Sequence, residues 1–196
     1  PEKKRIALKN ALIYLFDRNK KIIKLFDPPF SNAPRDPGYI QSYGMGFREN
    51  GGQYTHGAIW LAMACLQEGM VQDGYEILSA LLPENHDLSA YQAEPFVIAA
   101  DVYTAEGRKG EAGWSWYTGS AGWFFRVVTE NLLGLKQRDG RLFIEPNMPQ
   151  GWDGYEAVWH GLKIKVKNGA VTVDGRSYNP AFGVKHNLNS NDVKNS

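Results

Sequence analysis

The chain has 196 residues, 43% of them hydrophobic and 13% aromatic, and a formal net charge of +1. That is enough for one large domain or two small ones with a true core. It carries no basic block and no acidic tail, so neither nucleic acid nor an anionic membrane is an expected partner. No apolar run approaches the roughly 18 residues of a membrane span, and no signal-peptide pattern opens the chain. The single cysteine, Cys65, lies in a helical apolar run. It excludes an internal disulfide and a cysteine-based metal site, and it fits a reducing, cytoplasmic compartment.

Residues 2–16 read as a helix. Ile6, Leu8, Leu12, Ile13 and Phe16 form a broad apolar face, with Lys3, Lys4, Arg5 and Lys9 elsewhere. The pattern is already under way at Pro1, so a piece of a longer protein is expected. A charged turn at 18–21 leads into a short apolar run, Ile22, Ile23, Leu25 and Phe26, which Asp27-Pro28-Pro29 ends. Residues 30–45 hold three further turn signals, Ala33-Pro34, Asp36-Pro37-Gly38 and Gly44. Irregular segments of this length are usually functional or mobile.

Helices are predicted over 55–69, closed by Gly69, and over 71–82, where Val71, Tyr75, Leu78 and Leu82 keep helical spacing. Pro83-Glu84-Asn85-His86 breaks the pattern. Glu94-Pro95 then opens an apolar stretch that predicts a helix over 96–103. A charged, glycine-rich loop at 106–113 precedes Trp114-Ser115-Trp116-Tyr117-Thr118-Gly119-Ser120, and a long helix follows to Leu133.

From Leu135 the period changes. Leu142 and Ile144 alternate with polar neighbours after an Asp139-Gly140 turn, and Leu162, Ile164 and Val166 alternate with Lys163, Lys165 and Lys167. Asn168-Gly169 is a strong hairpin signal, with Val171 and Val173 on the return strand. The lysine face is expected to be a solvated sheet face. The Asn/Ser-rich tail, 187–196, is expected to be disordered. The expected class is therefore mainly α with a C-terminal antiparallel β region: helices over 1–134, a small β-sheet domain over 135–186, then the tail.

Three polar clusters, 48–56, 91–94 and 114–120, each stand ahead of a predicted helix. In an antiparallel helical array the starts of alternate helices share one rim, so the clusters can meet. The first gathers Arg48, Glu49, Asn50, Gln53, Thr55, His56 and two glycines in front of a helix. That density suits binding of a polar ligand on a rigid scaffold; a well-capped surface loop is the alternative. Thr118, Gly119 and Ser120 at a helix start can hold an anion through free backbone N–H groups, close approach at the glycine, and hydroxyl donors. An ordinary N-cap is the competing reading. His56 adds a second donor, or else is a satisfied helix-start histidine.

Glu49 and Glu94 stand beside a turn or a proline, where carboxylates can accept hydrogen bonds from adjacent sugar hydroxyls. Trp114, Trp116 and Trp123 offer a stacking wall. The alternatives are a core position for Trp123 and an ion pair between Glu94 and Arg48. No Gly-x-Ser-x-Gly, nucleotide-binding glycine loop or His/Glu zinc pattern is present, so no metal site is expected. His86, His160 and His186 receive no role.

These motifs resemble a known family. Residues 48–56 (Arg-Glu-Asn-Gly-Gly-Gln-Tyr-Thr-His), Glu94-Pro95-Phe96-Val97 with Ala100-Asp101-Val102-Tyr103, and 113–123 are similar to the inverting phosphorylases of glycoside hydrolase family 94. That family includes cellobiose and chitobiose phosphorylases and the phosphorylase-like domain of cyclic β-1,2-glucan synthases. Asp36-Pro37-Gly38-Tyr39-Ile40 looks most like the glucan-synthase branch. Leu142-Phe143-Ile144-Glu145-Pro146, with Pro149 and Trp152, resembles the family's passage into its C-terminal sheet.

The resemblance covers about residues 1–155 and implies part of an (α/α)6 toroid followed by a small β-sheet domain. It also implies phosphorolysis of a β-linked gluco-oligosaccharide. Inorganic phosphate is then the co-substrate, there is no cofactor, and an aspartic acid protonates the departing sugar oxygen. Carried over by position, His56, Thr118 and Gly119 hold phosphate. Glu49, with Arg48, Gln53, Glu94 and Trp116, lines the sugar site. No segment before Phe47 matches the motif that bears the family's general acid, so the isolated chain is expected to be inactive. The cellobiose and chitobiose enzymes also have a glutamine near the position of Ala100, so cellobiose specificity is not implied. The alternative function is a non-catalytic carbohydrate- or phosphate-binding remnant. Half a toroid further implies a missing N-terminal half or self-association.

Overall fold

The computed structural model describes residues 2–31, 33–116 and 118–185, with Thr118 given by its backbone alone. Tyr117, His186 and the tail 187–196 lie outside the described residues. The chain divides into two compact units, Pro1–Val127 and Val128–Ser196. About 35% of the described residues are helical and 22% are strand. The protein is therefore mixed α plus β, with strands in the first unit as well as the second.

In the first unit, helix α1 (Glu2–Leu15) buries Leu12 and runs into a short antiparallel pair, β1 (Phe16–Asp17) and β2 (Ile22–Ile23). The irregular segment that follows contains one 3-10 turn, Gly38–Ser42. Such a segment has no ladder to satisfy its backbone, and a side chain supplies the missing partners. Fully buried Asn50 accepts from the Phe30 N–H (2.8 Å) and donates to the carbonyls of Phe30 (3.0 Å) and Tyr43 (2.7 Å). Strand β3 (Gln53–Tyr54) then leads into α2 (Thr55–Gln67), which buries Ala58, Ile59, Ala62, Cys65 and Leu66. Helix α2 packs on α3 (Val71–Ala80) and on α5 (Thr118–Arg126). A short helix, α4 (Leu88–Tyr91), is capped by Asp87, whose carboxylate accepts from the Ser89 N–H (3.0 Å).

The helix predicted over 96–103 is not formed. Residues 95–100 are turns and extended chain, and Asp101–Val102 is β4, the central strand of a sheet ordered β3-β4-β5, with β5 at Ala112–Gly113. The segment's backbone groups are already committed sideways. Ala100 accepts from the Thr55 N–H (2.9 Å), the Ala100 N–H donates to the Trp114 carbonyl (3.1 Å), and the Tyr103 N–H donates to the Glu111 carbonyl (2.8 Å). A short apolar run fits a buried strand as well as a helix. Here Val102 enters a core with Ile22, Tyr91 and Ala99.

The last helix also departs from expectation. The α-helix ends at Arg126, and Val127–Leu132 widens into a π-helix, whose closing bond runs from the Leu133 N–H to the Val128 carbonyl, five residues back (2.8 Å).

The second unit follows the alternation read from the sequence. One sheet has the order β12-β7-β6, with β6 at Leu135–Arg138, β7 at Arg141–Ile144 and β12 at Val184–Lys185. The other is β11-β10-β9-β8, with β8 at Gly154–Trp159, β9 at Leu162–Lys167, β10 at Ala170–Val173 and β11 at Arg176–Ser177. Leu135, Leu142, Ile144, Ile164, Val166 and Val173 form its core, while Lys163, Lys165 and Lys167 face solvent. Among the described residues no helix is long and apolar enough to cross a membrane, and no cluster of His, Cys, Asp and Glu is fit to hold a metal ion.

Candidate functional site

The first polar cluster closes on itself through a charge that the sequence reading did not single out. Arg48, in the left-handed region (φ 46°), points its guanidinium between Glu49 and Asp101. Arg48 Nε lies 3.6 Å from Glu49 Oε2, and Nη1 lies 3.8 Å from Asp101 Oδ1. These are ion pairs too long to be good hydrogen bonds. The guanidinium also stacks over Trp114 (4.9 Å to the ring centre) and Tyr43 (5.7 Å). The side chains of Arg48 and Glu49 are each 15% exposed and Asp101 is 0% exposed. Among the described residues, Arg48 Nε and Nη1, Glu49 Oε2 and both Asp101 carboxylate oxygens have no hydrogen-bond partner.

The electrostatics follow from that burial. Desolvation works against the Arg48 charge, but Asp101 and then Glu49 outweigh it and raise its pKa. Burial pushes the Asp101 carboxyl up to about 6, Arg48 pulls it back, and the Glu49 charge adds to the rise.

His56 and Gly119 come together because α2 packs on α5 near their starts. A Cβ placed on Gly119 would stand 3.6 Å from His56 Cε1 and 3.9 Å from Nδ1, so that edge of the ring lies beside the first turn of α5. Amide groups in a first helical turn have no intrahelical acceptors and are free to meet an anion. The His56 ring edges Trp60 (5.0 Å) and Trp123 (6.2 Å), and its buried Nε2 has no hydrogen-bond partner among the described residues. Trp123 is partly buried, with the Arg126 guanidinium over it (5.3 Å), and is not among the buried core residues. The Thr118 side chain lies outside the described residues.

The second and third clusters meet at Glu94. Its Oε1 accepts from Trp116 Nε1 (2.8 Å). Hydrogen bonds from Ser115, from the Glu94 backbone and from Trp116, in that order, hold its pKa below the usual carboxylate range. The ion pair of Glu94 with Arg48, one of two readings of the sequence, is not made; Arg48 turns to Glu49 and Asp101 instead. Trp116 is 65% exposed and Phe96 is 76% exposed, and their rings sit edge to face 6.3 Å apart. Trp114 (φ 51°) and Trp116 (φ 64°) are both left-handed, a strained state for aromatic residues that concentrates at functional loops.

Gln53 takes a different place. It is 1% exposed and its Oε1 accepts from the Ile23 N–H (2.9 Å), which ties β3 to β2. The structure thus joins Arg48 to Glu49, His56 to Gly119 and Glu94 to Trp116, and sets Gln53 into the scaffold. Asp101 was missed because it sits within an apolar stretch, Ala99-Ala100-Asp101-Val102. A lone carboxylate in such a stretch was the available signal.

Comparison with known proteins matches residues 1–134 to the glycosyl hydrolase 94 superfamily catalytic domain. The chain is 38% identical over 192 residues to the cyclic beta-(1,2)-glucan synthase NdvB of Rhizobium meliloti (strain 1021), covering 94% of this chain and 7% of that protein. It is 28% identical over 164 residues to the solabiose phosphorylase of Paenibacillus borealis, covering 76% of this chain and 21% of that enzyme. It is also 28% identical over 148 residues to the N,N'-diacetylchitobiose phosphorylase of Vibrio proteolyticus, covering 72% of this chain and 18% of that enzyme. The chain therefore spans a small part of the length of each of these relatives.

Proposed function

The chain belongs to the glycosyl hydrolase 94 superfamily, and from that premise we propose that it carries sugar and phosphate contacts of a β-glucoside phosphorylase or β-glucan synthase-like enzyme. In this reading residues 1–134 are the second half of an (α/α)6 toroid and 135–186 a separate β domain. The observation that carries the reading is the His56 ring set against Gly119 at the start of α5, with an unbonded ring nitrogen. Phosphate binds there, to His56, the amides of the first turn of α5, and Thr118. The buried Arg48–Glu49 pair, a few residues earlier, takes the hydroxyls of a glucosyl ring. Glu49 Oε2 accepts from them and Arg48 donates to them. Glu94 and Trp116 form the outer wall, and Gln53 acts through the scaffold.

The chemistry follows from the nucleophile. Phosphate arrives as an anion, so attack at the anomeric carbon needs no general base, unlike inverting hydrolysis. The leaving sugar oxygen still needs a proton, and none of the groups assigned above is placed to give it. General acid catalysis contributes about 10² to 10⁴ in rate, so the chain alone binds and does not turn over. A single buried cysteine, Cys65, fits action in the cytoplasm.

Titration calorimetry with inorganic phosphate and with β-1,2-gluco-oligosaccharides tests this, alongside an assay for released glucose 1-phosphate. Both ligands are expected to bind, with no release. His56→Ala should abolish phosphate binding and spare the oligosaccharide, whereas Glu49→Gln should weaken the oligosaccharide by about tenfold or more. Release of glucose 1-phosphate by the chain alone, or binding of neither ligand, refutes the proposal.

A further inference from the structure

Asp101 is a charged residue placed where the fold gives it no structural work. It sits on the central strand of a three-stranded sheet, opposite Tyr54 on one side and Gly113 on the other. Its neighbour Val102 enters the core, so the Asp101 side chain leaves on the other face of the pleat. Gly113 leaves just enough room for it, since a Cβ there would stand 2.8 Å from Asp101 Oδ1 and closer still to the Tyr103 hydroxyl. Inside that enclosure neither carboxylate oxygen has a hydrogen-bond partner among the described residues. The Arg48 backbone amide favours the ionised form without making a well-aligned bond. An apolar residue of similar size would stabilise the fold more than an ion pair held at 3.8 Å.

The partner explains what the position does. Arg48 enters the same space from a left-handed backbone turn, with one aromatic ring on Trp114 and another on Tyr43 limiting where its guanidinium can go. Glu49 balances it from its own loop. The remaining groups that face Asp101 are few. Tyr103 approaches from the end of β4, and Arg108 and Glu111 face Tyr103 in turn. Among the described residues, Arg48 is thus the only cation paired with the buried carboxylate.

We propose that Asp101 is a positioning residue for Arg48: it holds the guanidinium by charge rather than by hydrogen bonds, and so fixes the place of the Arg48–Glu49 pair beside a bound sugar. The identity of the ligand rests on the sugar-site reading above; the link between Asp101 and Arg48 does not. It follows that one buried proton governs the clamp. With Asp101 ionised Arg48 is held, and with Asp101 protonated it is released. The group's upward displacement to about 6 puts that change within reach of ordinary buffers.

Nuclear magnetic resonance on the full 196-residue chain tests the link without any ligand. The Asp101 carboxyl carbon should titrate with a midpoint near 6, and the Arg48 Nε–Hε signal should move with the same midpoint. In Asp101→Asn the Arg48 movement should vanish, and Asp101→Glu should restore part of it. An Arg48 signal that stays still through the Asp101 titration, or that moves equally in Asp101→Asn, overturns the proposal. If that variant does not fold, the two wild-type midpoints decide by themselves. Glucose 1-phosphate is the ligand arm: wild type should bind it about tenfold more weakly at pH 5 than at pH 7.5, and Asp101→Asn should bind weakly at both. Coupled titrations with no binding at any pH uphold the positioning role and refute the sugar-site reading instead.

Discussion

Replacing Asp101 by asparagine should make the protein more stable at neutral pH. The ordinary value of the group is 3.8 and burial moves it to about 6 in the folded chain. Below the lower value the carboxyl is protonated in both folded and unfolded states and costs nothing. As pH rises through the folded value, the folded chain must ionise a group that the unfolded chain ionises freely, so stability falls across roughly pH 4 to 6. At about 1.4 kcal/mol per pH unit, the gap corresponds to about 3 kcal/mol. Asparagine resembles the protonated acid in size and polarity and cannot ionise. The variant should therefore match wild type at pH 4 and exceed it by about 3 kcal/mol at pH 7.5. Amide exchange in β3, β4 and β5 during urea unfolding reads this locally, within the unit that carries Asp101. A variant no more stable than wild type at pH 7.5 would mean that the Asp101 charge is fully compensated, and the reasoning from its missing partners would fail.

Gly113→Ala should destabilise the first unit by about 1–3 kcal/mol, because the new Cβ crowds the Tyr103 hydroxyl and meets Asp101 Oδ1 at 2.8 Å while β5 is held to β4; an unchanged urea midpoint would contradict that packing. Ile164→Ala should cost about 2–5 kcal/mol in the second unit, where Ile164 is 2% exposed in a core with Leu142 and Val173, and exchange at the amides of β9 and β10 would report it. Glu94→Ala should shift the Trp116 indole N–H resonance and speed its exchange, with little change in stability because the bond lies at the surface; an unmoved signal would count against the Glu94–Trp116 bond.

Much of this architecture was legible from periodicity. The first three long helices and the hairpin around Asn168-Gly169 each carry one unbroken pattern, and the lysine face of β9 is solvated as the alternation required. The stretch at 96–103 failed because its apolar residues suit either structure. What settled it was non-local: strand partners at Gln53–Tyr54 and Ala112–Gly113, one of them nearly fifty residues away along the chain. The same strand pairing hid Asp101. Its significance comes from burial beside Arg48, and neither burial nor that partner is written in the neighbouring residues. The polar clusters were visible as composition, but the pairs within them were not. Glu94 stands equally well in sequence for Arg48 or Trp116, and the backbone turns at Trp114 and Trp116 bring it to the latter.

The first unit treats its buried polar groups in two ways, and the difference supports the proposed site. Asn50 and Gln53 are buried like Asp101, but both side-chain polar atoms of Asn50 and Oε1 of Gln53 reach backbone partners that hold the scaffold in place. Part-buried His86 is likewise engaged, bonded to the Ala80 carbonyl (2.7 Å). The fold can evidently satisfy polar atoms where they serve as scaffold. The unpartnered buried side-chain atoms among the described residues belong to Arg48, Glu49, His56 and Asp101, and to no others. The nearer of the two aromatic rings on Arg48, that of Trp114, belongs to a residue held in a strained backbone state. Unsatisfied donors, unsatisfied acceptors and strain all cost stability. Such costs in Arg48, Glu49, Asp101 and His56 fit the proposed reading, in which the missing hydrogen-bond partners come from a ligand.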